Sequence, residues 1–221
     1  MASAGRKGSV SGLLEGFRAL PYYGVGGLVV LLLYTVQSEV RFGRRARTIF
    51  AGPSDRGSTV ALSLAAIVPV IGFVLALKAQ TAAYLSRLPT WLGRAGALPG
   101  MPVVAWVGVG IGLVGLLVRL WAVLALRERY TRTLLVLGHD HAIERGGPYR
   151  FVRHPGYLGS LLCLNGMALA SGNAPVLAAS LVTTLAAYAY RIRVEDAMLV
   201  DRFGAAYEDY RRRVRALVPF L

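Results

Sequence analysis

Residues 141–159 read HAIERGGPYRFVRHPGYLG and hold two His, three Arg, two Tyr, two Pro and four Gly between strongly apolar segments. Pro148 and Pro155 withhold backbone donors and fix φ, so one smooth helix is not expected here. The glycines permit close backbone approach to a bound group. A polar, turn-rich strip beside apolar runs is where a polar ligand would be held at a lipid boundary. Charge stands in two further places where it is expensive. Arg119 lies inside an apolar run, and the nearest acidic residue in sequence, Glu128, falls beyond the end of that run. Its guanidinium either snorkels toward the headgroups or faces a polar cavity or an anion. Arg191 and Glu195 are four residues apart and share a helix face. They form either a plain ion pair or one edge of an active site. In the second case Arg191 offers a fork to an anionic group, and Glu195 accepts from a cationic or hydrogen-bonding ligand.

Other chemistries fit less well. His139-x-His141 with His154 lacks a standard zinc spacing, so no metal is expected. No Ser-His-Asp, nucleophile-elbow or phosphate-loop pattern is present, and Gly146-Gly147-Pro148 does not match the dinucleotide fingerprint. Cys163 is the one cysteine, lies in an apolar segment and reads as packing rather than as a nucleophile.

The elements that must position these residues are set by hydropathy. Of the 221 residues, 55% are hydrophobic and 16% charged, and the mean hydropathy is +0.53, far too apolar for an ordinary soluble domain. The expected fold is an all-α integral membrane protein with about five transmembrane helices. Runs over Leu20–Val36, Val60–Leu77 and Val103–Leu126 supply three. The runs over Tyr157–Ala170 and Ala174–Tyr190 form a short helical hairpin around Ser171-Gly172-Asn173. The stretch Ala82–Leu92, with Pro89 and Trp91, reads as interfacial. Residues 1–19 are expected to be a flexible basic lead-in, 20–118 a scaffold of transmembrane helices carrying little polar chemistry, and 119–221 the catalytic region.

The net charge of +14 goes with anionic lipid headgroups rather than nucleic acid, because the Arg residues cluster in the first and third loops and the tail. Five spans put those segments on one side, expected to be cytoplasmic. The N-terminal Arg6, Lys7 and Arg18 are the one discordant signal. The N-terminal apolar run lacks a small-x-small cleavage site and is expected to be a retained span. In the tail, Leu199, Phe203, Tyr207 and Tyr210 recur at helical spacing, so this stripe either rests on lipid or packs back onto the core.

Gly147-Pro148-Tyr149-Arg150-Phe151-Val152-Arg153-His154-Pro155-Gly156-Tyr157-Leu158-Gly159 resembles the signature of the isoprenylcysteine carboxyl methyltransferase family, a relative of the membrane phospholipid methyltransferases. His141 stands where that family carries the His of an H-x-L-V segment. Arg191-x-x-x-Glu195-Asp196 followed by Phe203-Gly204, Tyr207 and Tyr210 resembles its C-terminal pattern, and Arg119 lies roughly where it has an Arg in the preceding helix. The resemblance covers about 119–219. It implies S-adenosyl-L-methionine as methyl donor, in a cytoplasmic pocket formed by the 127–156 loop and the C-terminal helix.

Carried over by position, the donor contacts are His141, Ala142, Ile143, Glu144, Tyr149, His154, Pro155, Gly156, Tyr157 and Glu195. Arg191 matches a substrate-contacting Arg, and Arg119 is a second one lining the reaction site, so the catalytic set is Arg119, Arg191 and Glu195. The chain departs from the pattern at Ala142-Ile143-Glu144, where x-Leu-Val is usual, and at Asp196, where the second Glu is replaced.

Methyl transfer from a sulfonium is an in-line displacement that depends on positioning and electrostatics. A carboxylate acceptor needs a cation to orient it and no general base, whereas an amine must first lose a proton. The residues lean toward a lipophilic carboxylate such as prenylcysteine, entering from the bilayer of what is expected to be a bacterial inner membrane. The alternatives are N-methylation of an aminophospholipid, methylation of a small thiol or alcohol, and a non-enzymatic membrane protein that binds lipid or a partner.

Overall fold

The structure, a computed structural model, describes residues 22–42, 55–84, 96–126 and 143–217. The described residues form helices α1 (Tyr22–Phe42), α2 (Ser58–Tyr84), α3 (Val103–Leu126), α4 (Pro155–Ala170), α5 (Ala174–Phe203) and α6 (Ala205–Arg213), with a 3-10 turn over Gly147–Arg150. Isolated bridges join Ala97 to Asn173 and Val152 to Arg215. The all-helical expectation holds, and the chain is a multi-pass membrane protein. Among the described residues, three helical segments are long and apolar enough to cross a bilayer: Ser58–Ala82, Val103–Leu126 and Ala174–Phe203.

Of the five runs expected to span, three are matched in this way. The apolar part of α1, Tyr23–Gln37, is shorter. Helix α4 has 16 residues, which at about 1.5 Å per residue fall short of a hydrocarbon core of about 30 Å. It is largely enclosed by its neighbours instead. The expected helical hairpin around residues 171–173 is present as α4 and α5, but α5 outruns the expected segment and extends for 30 residues. Hydropathy fades at Tyr190, but the helix continues through the polar Arg191–Phe203 stretch.

Sequence chemistry explains the ends of α5. Asn173 caps it by accepting from the Val176 amide at 3.2 Å, and a proline stands in its first turn, where the absent N–H costs nothing. It stops at Gly204, whose φ of +52° and ψ of −133° suit glycine, and α6 begins immediately beyond. The stripe Leu199, Phe203, Tyr207 and Tyr210 is therefore split between two helices. Tyr207 and Tyr210 are buried against the protein, which decides in favour of packing back for those two residues.

The tightest seam is α3 against α4, which run antiparallel. A Cβ on Gly108 would lie 2.5 Å from the Ala170 amide, and one on Gly115 would lie 2.6 Å from the Cys163 amide. A Cβ on Gly166 would lie 2.5 Å from the Gly112 amide. Small residues let the backbones touch, which is how helices gain van der Waals contact when lipid offers no hydrophobic contrast. Val30 of α1 covers Gly112, Phe73 of α2 covers Gly27, and both side chains are fully buried in the core. At the end carrying the 171–173 turn, backbone carbonyls close the bundle: the Gln80 amide donates to Ser171 O at 2.8 Å, and Leu98 N to Gly172 O at 2.8 Å.

Candidate active site

The opposite end gathers the start of α4, the last turns of α5, the start of α2 and the strip 143–154. His154 precedes α4 and is buried. Its Nε2 is 2.9 Å from Asp196 Oδ1, and because a carboxylate only accepts, the imidazole donates there. Nδ1 lies 3.8 Å from Glu195 Oε2. The imidazole stacks on the Tyr157 ring at 5.4 Å with an interplanar angle of 8°. The Tyr157 hydroxyl donates to Glu195 and accepts from Arg191 Nε at 2.9 Å. His154, Tyr157 and Glu195 therefore meet at one edge, with Pro155 and Gly156 buried beneath them.

Glu195 and Asp196 are neighbours on α5 with different tasks. About 100° of helix rotation separates successive residues. The Glu195 side chain faces Tyr157 and is 24% exposed. Asp196 turns into the protein, where it accepts from His154, from Arg153 Nη2 at 2.9 Å and from the Tyr207 hydroxyl at 2.5 Å. It thereby ties the strip to α5 and α6. Sequence reasoning left this position insecure, yet it is the hub of the assembly. Burial first, then the Asp196 carboxylate, pushes the Tyr207 phenol well up, so it stays a donor.

The strip is clamped by the C-terminal segment. Arg153 N donates to Arg215 O at 2.8 Å and His154 N to Ala216 O at 3.0 Å, while Arg153 Nη1 reaches Val214 O at 2.6 Å. Tyr149 is buried, and its carbonyl accepts from the Tyr210 hydroxyl at 2.5 Å; burial pushes that phenol up to about 12. Tyr149 thus joins the cluster through α6. Glu144 accepts from the Gly146 amide at 2.8 Å just ahead of the turn, and Ile143 is half-buried at the start of the strip. His141, Ala142 and most of the 127–156 loop lie outside the described residues, as does most of the Ala82–Leu92 stretch.

The two arginines are deeply placed. Arg119 does not snorkel: it is buried, its Nη1 donates to Ser160 Oγ at 2.6 Å, and its guanidinium lies 5.1 Å over the Tyr34 ring. Ser160 is one turn beyond Gly156, to whose carbonyl it donates at 3.0 Å. Arg119 therefore sits about one helical turn deeper than the Tyr157 edge, and the Tyr157 and Tyr188 rings link the two levels at 5.5 Å.

Arg191 is 1% exposed. Its contacts reach the start of α2, beyond the simple pair with Glu195 that four-residue spacing suggests. Its Nη1 is 2.5 Å from Asp55 Oδ1 and within 2.8 and 3.0 Å of the Ser58 and Thr59 hydroxyls. Asp55 also accepts from the Thr59 amide at 3.0 Å, capping α2. Burial alone would raise its carboxyl, but the hydrogen bonds from Thr59 and Ser58 and the Arg191 charge hold it below the usual carboxylate range. The scaffold segment therefore supplies polar partners to the site. Asp55-x-x-Ser58-Thr59 was legible as a helix cap, but its partner 136 residues away was not.

A family model described as phospholipid methyltransferase matches residues 103–206. A probable protein-S-isoprenylcysteine O-methyltransferase of Oryza sativa subsp. indica is 29% identical over 119 residues, covering 53% of this chain and 62% of that protein. The protein-S-isoprenylcysteine O-methyltransferase of Schizosaccharomyces pombe is 34% identical over 85 residues, covering 37% of this chain and 35% of that protein. The chain spans less than two thirds of the length of these relatives. Among solved structures, the eukaryotic intramembrane Ras methyltransferase, an isoprenylcysteine carboxyl methyltransferase, shares the fold with a TM-score of 0.54 and 23% identity, covering 72% of this chain and 52% of that one. Over residues 103–206 the chain is thus similar to the phospholipid methyltransferase family and to protein-S-isoprenylcysteine O-methyltransferases, and it shares the fold of the intramembrane Ras methyltransferase.

Proposed function

We propose that this chain is an S-adenosylmethionine-dependent methyltransferase that acts on a lipophilic acceptor taken from the bilayer. The observation that carries the reading is the meeting of His154 and Tyr157 from the strip with Glu195 from α5. The donor set suits the cofactor. A partly exposed carboxylate beside stacked aromatic rings attracts a cationic sulfonium or ammonium and accepts from hydroxyl groups. Tyr149, His154, Pro155, Gly156, Tyr157 and Glu195 would hold it, together with the strip from His141 to Glu144. When bound, it supplies an electrophilic methyl group on sulfur.

The remaining work is orientation. Glu195 fixes the donor, Tyr157 fixes Glu195, and Asp196 with Arg153 holds the strip against α5. Arg119 and Ser160, a turn deeper and at the level of the lipid-facing helices, orient the acceptor. An acceptor carboxylate is already ionised, so Arg119 has only to aim it and no base is required. Arg191, enclosed by Asp55, Ser58, Thr59 and Tyr157, serves the site through Tyr157. The basic residues at this end, Arg145, Arg150, Arg202, Arg211, Arg212, Arg213 and Arg215, face the cytoplasm and anionic headgroups.

The test is methyl transfer from labelled donor in detergent or vesicles. With a farnesylated cysteine analogue the expected product is base-labile, as a methyl ester. Base-stable label running with phospholipid would instead assign N-methylation. No transfer to either class, by folded protein that binds the donor, would overturn the proposed acceptors.

A further inference from the structure

We propose that Asp55 is a positioning residue that holds Arg191 off Glu195 and so reserves the Glu195 carboxylate for a cationic ligand. The inference rests on the reading of the Tyr157–Glu195 edge as the donor site. Arg191 and Glu195 are one helical turn apart on α5, the spacing at which Arg and Glu pair directly. In the structure the Tyr157 hydroxyl stands between them, bonded to both. Asp55 draws Arg191 Nη1 to 2.5 Å, and Ser58 and Thr59 complete the cradle at 2.8 and 3.0 Å.

The direction of the remaining bonds follows. A guanidinium only donates, so the Tyr157 oxygen accepts from Arg191 Nε. The single phenolic hydrogen is then aimed at Glu195 Oε2. Glu195 thus receives the Tyr157 hydroxyl rather than the Arg191 guanidinium, at the exposed end of the cluster. Asp55 is itself 2% exposed and bonded to Ser58 Oγ, Thr59 Oγ1 and the Thr59 amide, so it is locked in place before Arg191 arrives. Without its charge, Arg191 would turn to the nearest anion on its own helix, Glu195, and neutralise it.

Two measurements separate this from a merely structural role. The first needs no ligand. Glu195→Gln is expected to leave thermal unfolding of the otherwise unchanged protein nearly as it was, because Gln still accepts from Tyr157. In an Asp55→Asn background the same change is expected to lower the unfolding temperature by several degrees, because it then removes the new partner of Arg191. Equal effects of Glu195→Gln in both backgrounds would overturn the inference.

The second is calorimetric titration with S-adenosylhomocysteine. Asp55→Asn is expected to weaken binding by about tenfold. In an Arg191→Gln background, Asp55→Asn is expected to add no further loss. A loss of the same size in both backgrounds would show that Asp55 acts on stability alone. If the folded wild-type protein binds no S-adenosylhomocysteine, the donor reading fails, and the unfolding experiment still decides whether Asp55 keeps Arg191 from Glu195.

Discussion

The α3–α4 seam and the polar end of the bundle are held by opposite means. Along the seam, Gly108, Gly112, Gly115, Gly159 and Gly166 bring two backbones into contact. At the polar end, charged and hydroxylated side chains from α2, α4, α5, α6 and the strip satisfy one another: Asp55 with Arg191, Tyr157 with Glu195, and Asp196 with His154, Arg153 and Tyr207. The seam fixes a frame that needs no water. The polar network fixes a site, and it stands where the bundle meets the headgroups, so that one carboxylate of the network can remain partly exposed. Rigid packing and chemical readiness are thereby kept in different places, with α4 belonging to both.

The comparison is broken most severely at Asp196. Asp196→Ala removes the anion shared by Arg153, His154 and Tyr207, leaving a buried guanidinium without its carboxylate, at a cost on the order of 3–5 kcal/mol. The expected result is release of the strip and of α6, seen as rapid proteolysis after Arg202 and as a large drop in unfolding temperature. Full retention of stability would mean that the strip is held by backbone bonds alone.

The seam comes next. Gly166→Ala places a methyl group 2.5 Å from the Gly112 amide and is expected to destabilise by about 1–3 kcal/mol, whereas Gly110→Ala meets nothing within 4 Å and is expected to be neutral. Thermal unfolding of the two variants in detergent provides the contrast. Donor affinity should change little in any Gly166→Ala protein that folds.

The smallest effect is the response to acid. The carboxyl of Asp55 lies below its ordinary range in the folded state, so its contribution is present above the unfolded value. That contribution is lost as pH falls through the depressed folded value. Wild-type stability should therefore decline below about pH 4 more steeply than that of Asp55→Asn, and unfolding temperatures measured from pH 3 to 7 would show the gap closing in acid. Parallel curves would mean that Asp55 is not charged in the folded protein.

Much of this division could be read from the chain itself. The strip was visible because Pro148, Pro155 and its charges interrupt apolar runs, and α3 was visible because nothing but Arg119 interrupts it. What escaped did so for physical reasons. Hydropathy ends where lipid ends, but helicity does not, so α5 was cut at Tyr190 although its polar last turns carry Arg191, Glu195 and Asp196. The seam glycines give no periodic apolar signal, because their role is to be small. The Asp55 partner of Arg191 was not legible because a local spacing, i to i+4, competes with a cap 136 residues away, and only the packing of α2 against α5 brings the two together. Asp196 stood only as a departure from the pattern, because its partners His154, Arg153 and Tyr207 come from other elements.

The most direct test of the account is titration of the folded protein with S-adenosylhomocysteine, beside Glu195→Ala. Saturable binding by the wild type, weakened at least about tenfold in a Glu195→Ala protein of unchanged fold, is the expected result. Absence of binding in the wild type, or equal affinity in the two proteins, would contradict the assignment of this edge as the donor site.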